Sequence, residues 1–195
     1  MKTKIVSIAA LAATIVALAA CSPISLAPAG PYAVGRSPSV TLDRPWNDVS
    51  ALWLGKPKKM RLLSLDGLLL NRLYLSEGLV EGDFIVRPAR REATTPVYAA
   101  DMSITEQVEF VANSVTALDY ERVETSAVRP LEIEGQRAVR FELAARTKEG
   151  LNIRGLGQVL KREDKLYVAI YLAPEEHYYQ ASLVSAEAAM SSMTF

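Results

Sequence analysis

The sequence predicts an α+β fold: an antiparallel β-sheet meander flanked by two amphipathic helices, in an α/β/α sandwich-like arrangement. Three observations carry this reading. Residues 103–118 and 174–193 each repeat apolar side chains at helical spacing. The stretch between them alternates apolar and polar residues as strands do. Ahead of the first helix, Asp66-Gly67 sits between two apolar runs, a strong short-range hairpin signal.

Taken in chain order, Val40 and Leu42 mark a short first strand. Residues 45–52 read as a short helix, with Pro45 at its first position and Asp43 as its cap. Residues 60–65 and 68–75 are the two arms of the hairpin, and residues 84–86 add a short strand after Gly82. The helix at 103–118 opens with Ser103 and Glu106, a capping box in which each side chain satisfies a free amide of the first turn. Ile104, Val108, Val111, Val115 and Leu118 then share one face, which belongs to a core.

In the meander, Val139, Phe141 and Leu143 point one way while Arg140 and Glu142 point the other. Lys148-Glu149-Gly150 and Arg162-Glu163-Asp164 supply turns before strands at 151–161 and 166–172, giving three or four antiparallel strands. Tyr179, Leu183, Ala186, Met190 and Met193 repeat the helical offsets in the closing segment. Glu175 and Glu176 are expected in its first turn, where negative charge offsets the helix dipole.

Composition removes several function classes. The 195 residues hold 22 Lys and Arg against 22 Asp and Glu, so phosphate neutralisation on nucleic acid is not expected. One Cys and one His exclude an internal disulfide, a thiolate cluster and a multi-histidine metal site. No cofactor is expected either. Gly155-Leu156-Gly157 lacks a third glycine for a phosphate cradle and lies in a strand pattern, where glycine more often marks a bulge.

The front of the chain does not belong to the fold. Lys2 and Lys4 lead an uncharged apolar run from Ile5 to Ala20, too short for an ordinary bilayer span and fitting an export signal. Leu18-Ala19-Ala20-Cys21 closes the run and resembles the lipobox of bacterial lipoproteins. That resemblance implies a diacylglycerol on the sulfur of Cys21, cleavage before it by signal peptidase II, and acylation of the new amine. Each buried methylene of such chains contributes about 0.8 kcal/mol of membrane affinity. Ser22, where inner-membrane lipoproteins of enterobacteria carry Asp, resembles the outer-membrane pattern. The expected address is therefore the cell envelope, lipid-anchored through Cys21 and facing the periplasm. With Lys2 and Lys4 removed, 20 basic residues would face 22 acidic ones.

From Ser22 to Ser39 the chain holds Pro23, Pro28, Pro31 and Pro38, and reads as a tether. In polyproline II form, at about 3.1 Å per residue, it would reach roughly 55 Å. Tyr32 and Val34 are the residues of this segment suited to pack on the domain. The expected organisation is a leader at 1–20, the lipidated Cys and tether at 21–39, and one α+β domain at 40–195.

Within that domain, the early Pro45-Trp46 pair, the helix ahead of a long meander and the closing helix are together similar to the Mog1/PsbP-like α/β/α sandwich. That family often places a glycine between the Pro and the Trp, and this chain does not. Members act mainly in binding or assembly, so the resemblance implies a module of that kind and names no reaction.

Two site readings follow from the residues. Tyr167 and Tyr171 share a face of the last strand, and His177, Tyr178 and Tyr179 follow at the helix start. These five either line a groove for an envelope protein or peptide, since tyrosine offers apolar area with a polar tip, or form the second packed face of the sheet. The other reading is an envelope hydrolase using His177 as general base with an unidentified serine. No Gly-x-Ser-x-Gly elbow is present, and Ser64, Ser76, Ser103 and Ser182 have no distinguishing context. The acidic pairs Glu132/Glu134, Glu163/Asp164 and Glu175/Glu176 read as solvated faces and turns. Two basic clusters, Lys56, Lys58, Lys59 and Arg61, then Arg87, Arg90 and Arg91, suit an anionic membrane surface or a solvated loop.

Overall fold

Within the segment expected as a tether, residues 25–27 join the main sheet and residues 30–33 form one strand of a separate hairpin. The computed structural model describes residues 24–87 and 94–195. Its first strand, β1 (Ser25–Ala27), pairs antiparallel with β4 (Trp46–Asp48), and a separate hairpin joins β2 (Gly30–Ala33) to β3 (Ser39–Leu42). Ala27 and Val34 are buried. The prolines that suggested a free linker are compatible with this because Pro31 lies in a two-stranded ribbon, where a missing donor leaves no central ladder broken. The leader and the lipobox Cys21 lie outside the described residues, as do Arg90 and Arg91.

The remaining elements are β5 (Met60–Ser64), β6 (Arg72–Ser76), α1 (Ile104–Thr116), β7 (Glu121–Ile133), β8 (Gln136–Arg146), β9 (Asn152–Arg162), β10 (Lys165–Pro174) and α2 (Tyr178–Ser191). Eight strands form one antiparallel sheet in the order β1-β4-β5-β6-β10-β9-β8-β7. The C-terminal meander thus joins the N-terminal strands through β6 and β10, with Leu75 opposite Ala169.

Strand alternation divides the interior into two cores. Along β10, Leu166, Val168, Ile170 and Leu172 face a core closed by Val108, Val111 and Val115 of α1. Tyr167, Ala169, Tyr171 and Ala173 face the other, closed by Ala186, Ala189 and Met190 of α2. This is the expected α+β sandwich, with a helix over each face of the sheet. The capping box of α1 is present: Glu106 N–H donates to Ser103 Oγ, and Ser103 N–H donates to Glu106 Oε2.

Several elements differ from expectation. Residues 45–52 are not a helix but β4 followed by a single 3-10 turn (Ser50–Leu52), because Asp48 Oδ1 takes the Ser50 amide at 2.9 Å and turns the chain locally. Asp43 caps nothing; its carboxylate accepts a hydrogen bond from Ser185 on α2. Residues 84–86 bend rather than form a strand, since Asp83 organises the turn before them by accepting from the Val80 amide and Lys59. The arms of the 60–75 hairpin are joined by a longer loop than Asp66-Gly67 alone. Asn71 Oδ1 holds that loop by accepting from Ser64 Oγ and from the amides of Leu65 and Asp66.

Gly155 and Gly157 sit in unbroken ladder, so they mark close packing and not a bulge. The register shifts lie in the edge strand β7, between Glu121 and Glu124 and between Ser126 and Arg129. Bulges of this kind twist an exposed edge away from pairing with another chain.

Candidate functional site

The closing helix begins three residues after Glu175, so Glu175 and Glu176 are not in its first turn. Pro174 ends β10, and the chain reverses at His177, whose φ of 68° and ψ of −62° place it at the centre of a γ-turn closed by Tyr178 N–H on Glu176 O at 2.8 Å. That geometry is costly for a residue with a Cβ. His177 is exposed, and its ring meets the edge of Tyr178 at 5.0 Å between centroids.

The tyrosine set does not form an open groove. Tyr167, Tyr171 and Tyr179 are buried in the core under α2, while Tyr178 is half-buried and His177 lies outside. Tyr171 stacks on Tyr179 at 5.7 Å, and its hydroxyl donates to the carbonyls of Tyr178 (3.2 Å) and Tyr179 (3.1 Å). Burial pushes the phenols of Tyr167, Tyr171 and Tyr179 above their ordinary pKa. The physical reason is layer geometry: a sheet with helices on both faces must fill its second face, and these rings do so.

The serines considered for a hydrolase have structural partners elsewhere. Ser64 donates to Asn71, Ser76 accepts the Val168 amide, Ser103 caps α1, and Ser182 accepts from Asn71. Among the described residues no hydrogen bond joins a serine to the His177 ring. The first basic cluster is also largely spoken for. Lys59 pairs with Asp83 at 2.6 Å, Arg61 with Glu77 at 3.0 Å, and Lys56 Nζ donates to Met60 O at 2.9 Å.

A different concavity emerges where α1 begins. The first turn of α1 stands over the ends of β7, β8 and β9, leaving a groove of about 580 Å³. Its walls are mainly apolar, from Ile104, Pro130, Leu131, Val139 and Val159. Two cations, Arg137 and Lys161, stand among the lining residues. Lys161 donates to the Ala100 carbonyl at 2.5 Å, whereas Arg137 makes no hydrogen bond or ion pair among the described residues. The α1 N-terminus adds the positive end of a helix dipole, partly offset by Glu106.

The volume lies within the range of small-molecule sites, and apolar walls with a few placed polar groups are their usual lining. Sequence reasoning missed this groove because its walls meet only through strand register, which places Leu131 opposite Ala138 and Ala138 opposite Leu160. The one local trace was Pro130 inside a strand pattern, a residue confined to edges.

No protein-family model and no curated protein matches the sequence. Among solved structures, the chain is similar to cyanobacterial PsbP from Synechocystis, at 12% identity and a TM-score of 0.53, over 88% of this chain and 92% of that one. It also aligns with the Ran-binding protein Mog1p of Saccharomyces cerevisiae, at 9% identity and 0.49, over 84% and 83%. A third is LpqN of Mycobacterium tuberculosis, described as involved in cell envelope biogenesis, at 12% identity and 0.38, over 88% and 92%. At such identities a likeness speaks of fold alone, and the PsbP comparison gives this chain a Mog1/PsbP-like α/β/α sandwich.

Proposed function

We propose that this protein is a lipid-anchored, periplasm-facing binding module of the bacterial envelope, held through acyl chains on Cys21 and acting without catalysis. The lipobox-like Leu18-Ala19-Ala20-Cys21 supports the anchor, and Ser22 favours the outer membrane over the inner. The observation that carries the binding reading is the groove under α1, apolar along its walls with the unpaired guanidinium of Arg137 at its rim. An envelope amphiphile fits that chemistry: apolar chain along Val139 and Val159, anionic head towards Arg137. The hydrolase alternative has no comparable support, since it needs a serine hydrogen-bonded to His177.

Two measurements test the reading. Growth with labelled palmitate should mark the wild type and leave Cys21→Ala unlabelled; equal labelling would refute the anchor. A dansyl-labelled undecanoic acid should brighten and shift to the blue on the purified protein. Arg137→Glu should weaken it about tenfold, the equivalent of about 1.4 kcal/mol. Ile104→Asp, which puts a carboxylate in the wall, should abolish it. A probe that binds both variants as it binds the wild type removes the groove as the site.

A further inference from the structure

The distance between the anchor and the fold is much shorter than the proline content suggests. Only Ser22, Pro23 and Ile24 separate Cys21 from β1. At about 3.5 Å per residue, the Cα of Cys21 stays within roughly 14 Å of Ser25, even fully extended. The domain cannot stand clear of a surface that holds Cys21.

What lies beside that attachment point is apolar. In β1, Ala27 enters the core under α2, so Leu26 points to the α1 side of the sheet, where it is 68% exposed. Leu26 pairs with Asn47, and Asn47 Nδ2 donates to Leu65 O at 3.3 Å. Leu65 opens the loop that carries Leu69, 81% exposed. Leu69 and Leu118, the latter just past the end of α1, line one shallow depression, and Leu118 and Leu54, 93% exposed, line the next. Leu26, Leu54 and Leu69 are thus held out on loops and on the first edge of the sheet, largely exposed, while Leu65 and Leu118 between them pack on the cores. Next to Leu54 stands Arg87, whose Cδ lies 3.5 Å from the position a Cβ would take on Gly55; Arg87 and Lys58 flank one small depression.

We infer that this face is the protein's seat on the bilayer, with Leu26, Leu54 and Leu69 entering the headgroup boundary and Arg87 and Lys58 meeting anionic phospholipid. The inference rests on the reading of Cys21 as acylated. It adds a fixed orientation, in which α2 and its exposed Val184 point away from the membrane. Interfacial apolar side chains reach about 5–10 Å into the headgroup and acyl boundary, and nearby cations strengthen attachment to anionic lipid.

The experiment uses full-length lipoprotein in vesicles of phosphatidylethanolamine and phosphatidylglycerol, with palmitate incorporation measured on the same sample. Single replacements Leu54→Cys, Leu69→Cys and Val184→Cys carry an environment-sensitive thiol dye. All three sites are exposed, so the cores are untouched, and the thioether at Cys21 does not react. Dyes at 54 and 69 should shift to the blue, with quenching by spin-labelled lipid about threefold or more above that at 184, as their depth at the boundary requires. Water-like emission and equal quenching at all three sites, on protein that carries palmitate, overturns the seat and leaves the anchor standing. Protein that carries no palmitate overturns the anchor and the seat together.

Discussion

The ring of Phe141 fills the space above Gly157: a Cβ on that glycine would stand 2.2 Å from the ring's Cζ. The two are directly opposite in the β8–β9 ladder, and Phe141 is fully buried. The missing side chain is therefore a packing feature, in which a large ring on one strand is matched by nothing on the next. Gly157→Ala should force the ring off its site and lower stability by about 2 kcal/mol. Thermal denaturation of the pair measures it, and an unchanged melting temperature would show that the ring has room to move.

Arg140, although cationic, is buried, where Gln158 and, at 3.8 Å, the Glu187 carboxylate answer its guanidinium. Its Nε and Nη2 donate to Gln158 Oε1 at 3.2 and 2.6 Å, and Gln158 Nε2 donates to the Met190 carbonyl at 2.8 Å. Ser191 Oγ takes a further bond from Nη2, so the network ties the sheet to the end of α2. Gln158→Leu leaves a buried guanidinium short of its acceptor and should cost about 2–3 kcal/mol. The double variant Arg140→Leu/Gln158→Leu removes both ends and should be more stable than Gln158→Leu alone. Urea denaturation of the three proteins decides.

Asp48 gives the fold an acid-sensitive contact. Burial works against its carboxylate, but hydrogen bonds from Ser50 and from Tyr32 Oη at 2.7 Å outweigh that and hold its pKa below the ordinary value of 3.8. Burial and the Asp48 carboxylate hold the Tyr32 phenol high, so it stays a neutral donor. A carboxyl with a depressed folded pKa contributes stability above its unfolded value, and loses it as pH falls through the folded one. The stability difference between wild type and Asp48→Asn should therefore be constant from neutrality down to about pH 5 and shrink below about pH 4. Denaturation curves across that range test it; a difference that vanishes already at neutral pH assigns no role to the ionised carboxylate.

His177 holds a γ-turn that suits glycine better. Replacing it by glycine relieves a Cβ from φ 68° and should raise stability by about 1 kcal/mol, net of the greater freedom glycine gains in the unfolded chain. The same variant bears on the hydrolase reading, because it deletes the imidazole without disturbing the turn. A higher melting temperature with ester, peptide and glycan hydrolysis unchanged fits a structural turn. Loss of a hydrolytic activity present in the wild type would restore His177 as a base.

The parts legible in the sequence are those whose signals are local. The capping box and stripe of α1 need only neighbours within a few turns, and the alternation along β10 states both cores at once. The parts misread depend on distant partners. Ser25–Ala27 becomes a strand because Trp46–Asp48 lies alongside it, and nothing in a proline-rich segment announces that. Tyr167 and Tyr171 carry the same pattern whether packed or open; only the position of α2 separates the two. The groove under α1 is more remote still, since three strands and a helix end must be registered before it exists.

The pairing of β6 with β10 sets the order in which this molecule can be completed. Leu73, Tyr74 and Leu75 find their partners in Tyr171, Ile170 and Ala169, almost at the far end of the chain. Until those residues are available, β5 and β6 have no third neighbour on that side, and the core beneath them stays open. Closing a loop of that length is entropically demanding, and folds built on such long-range pairing form slowly. The N-terminal strands therefore stay unpartnered on that side until β10 has joined them, although the meander from β7 to β10 needs only its own turns.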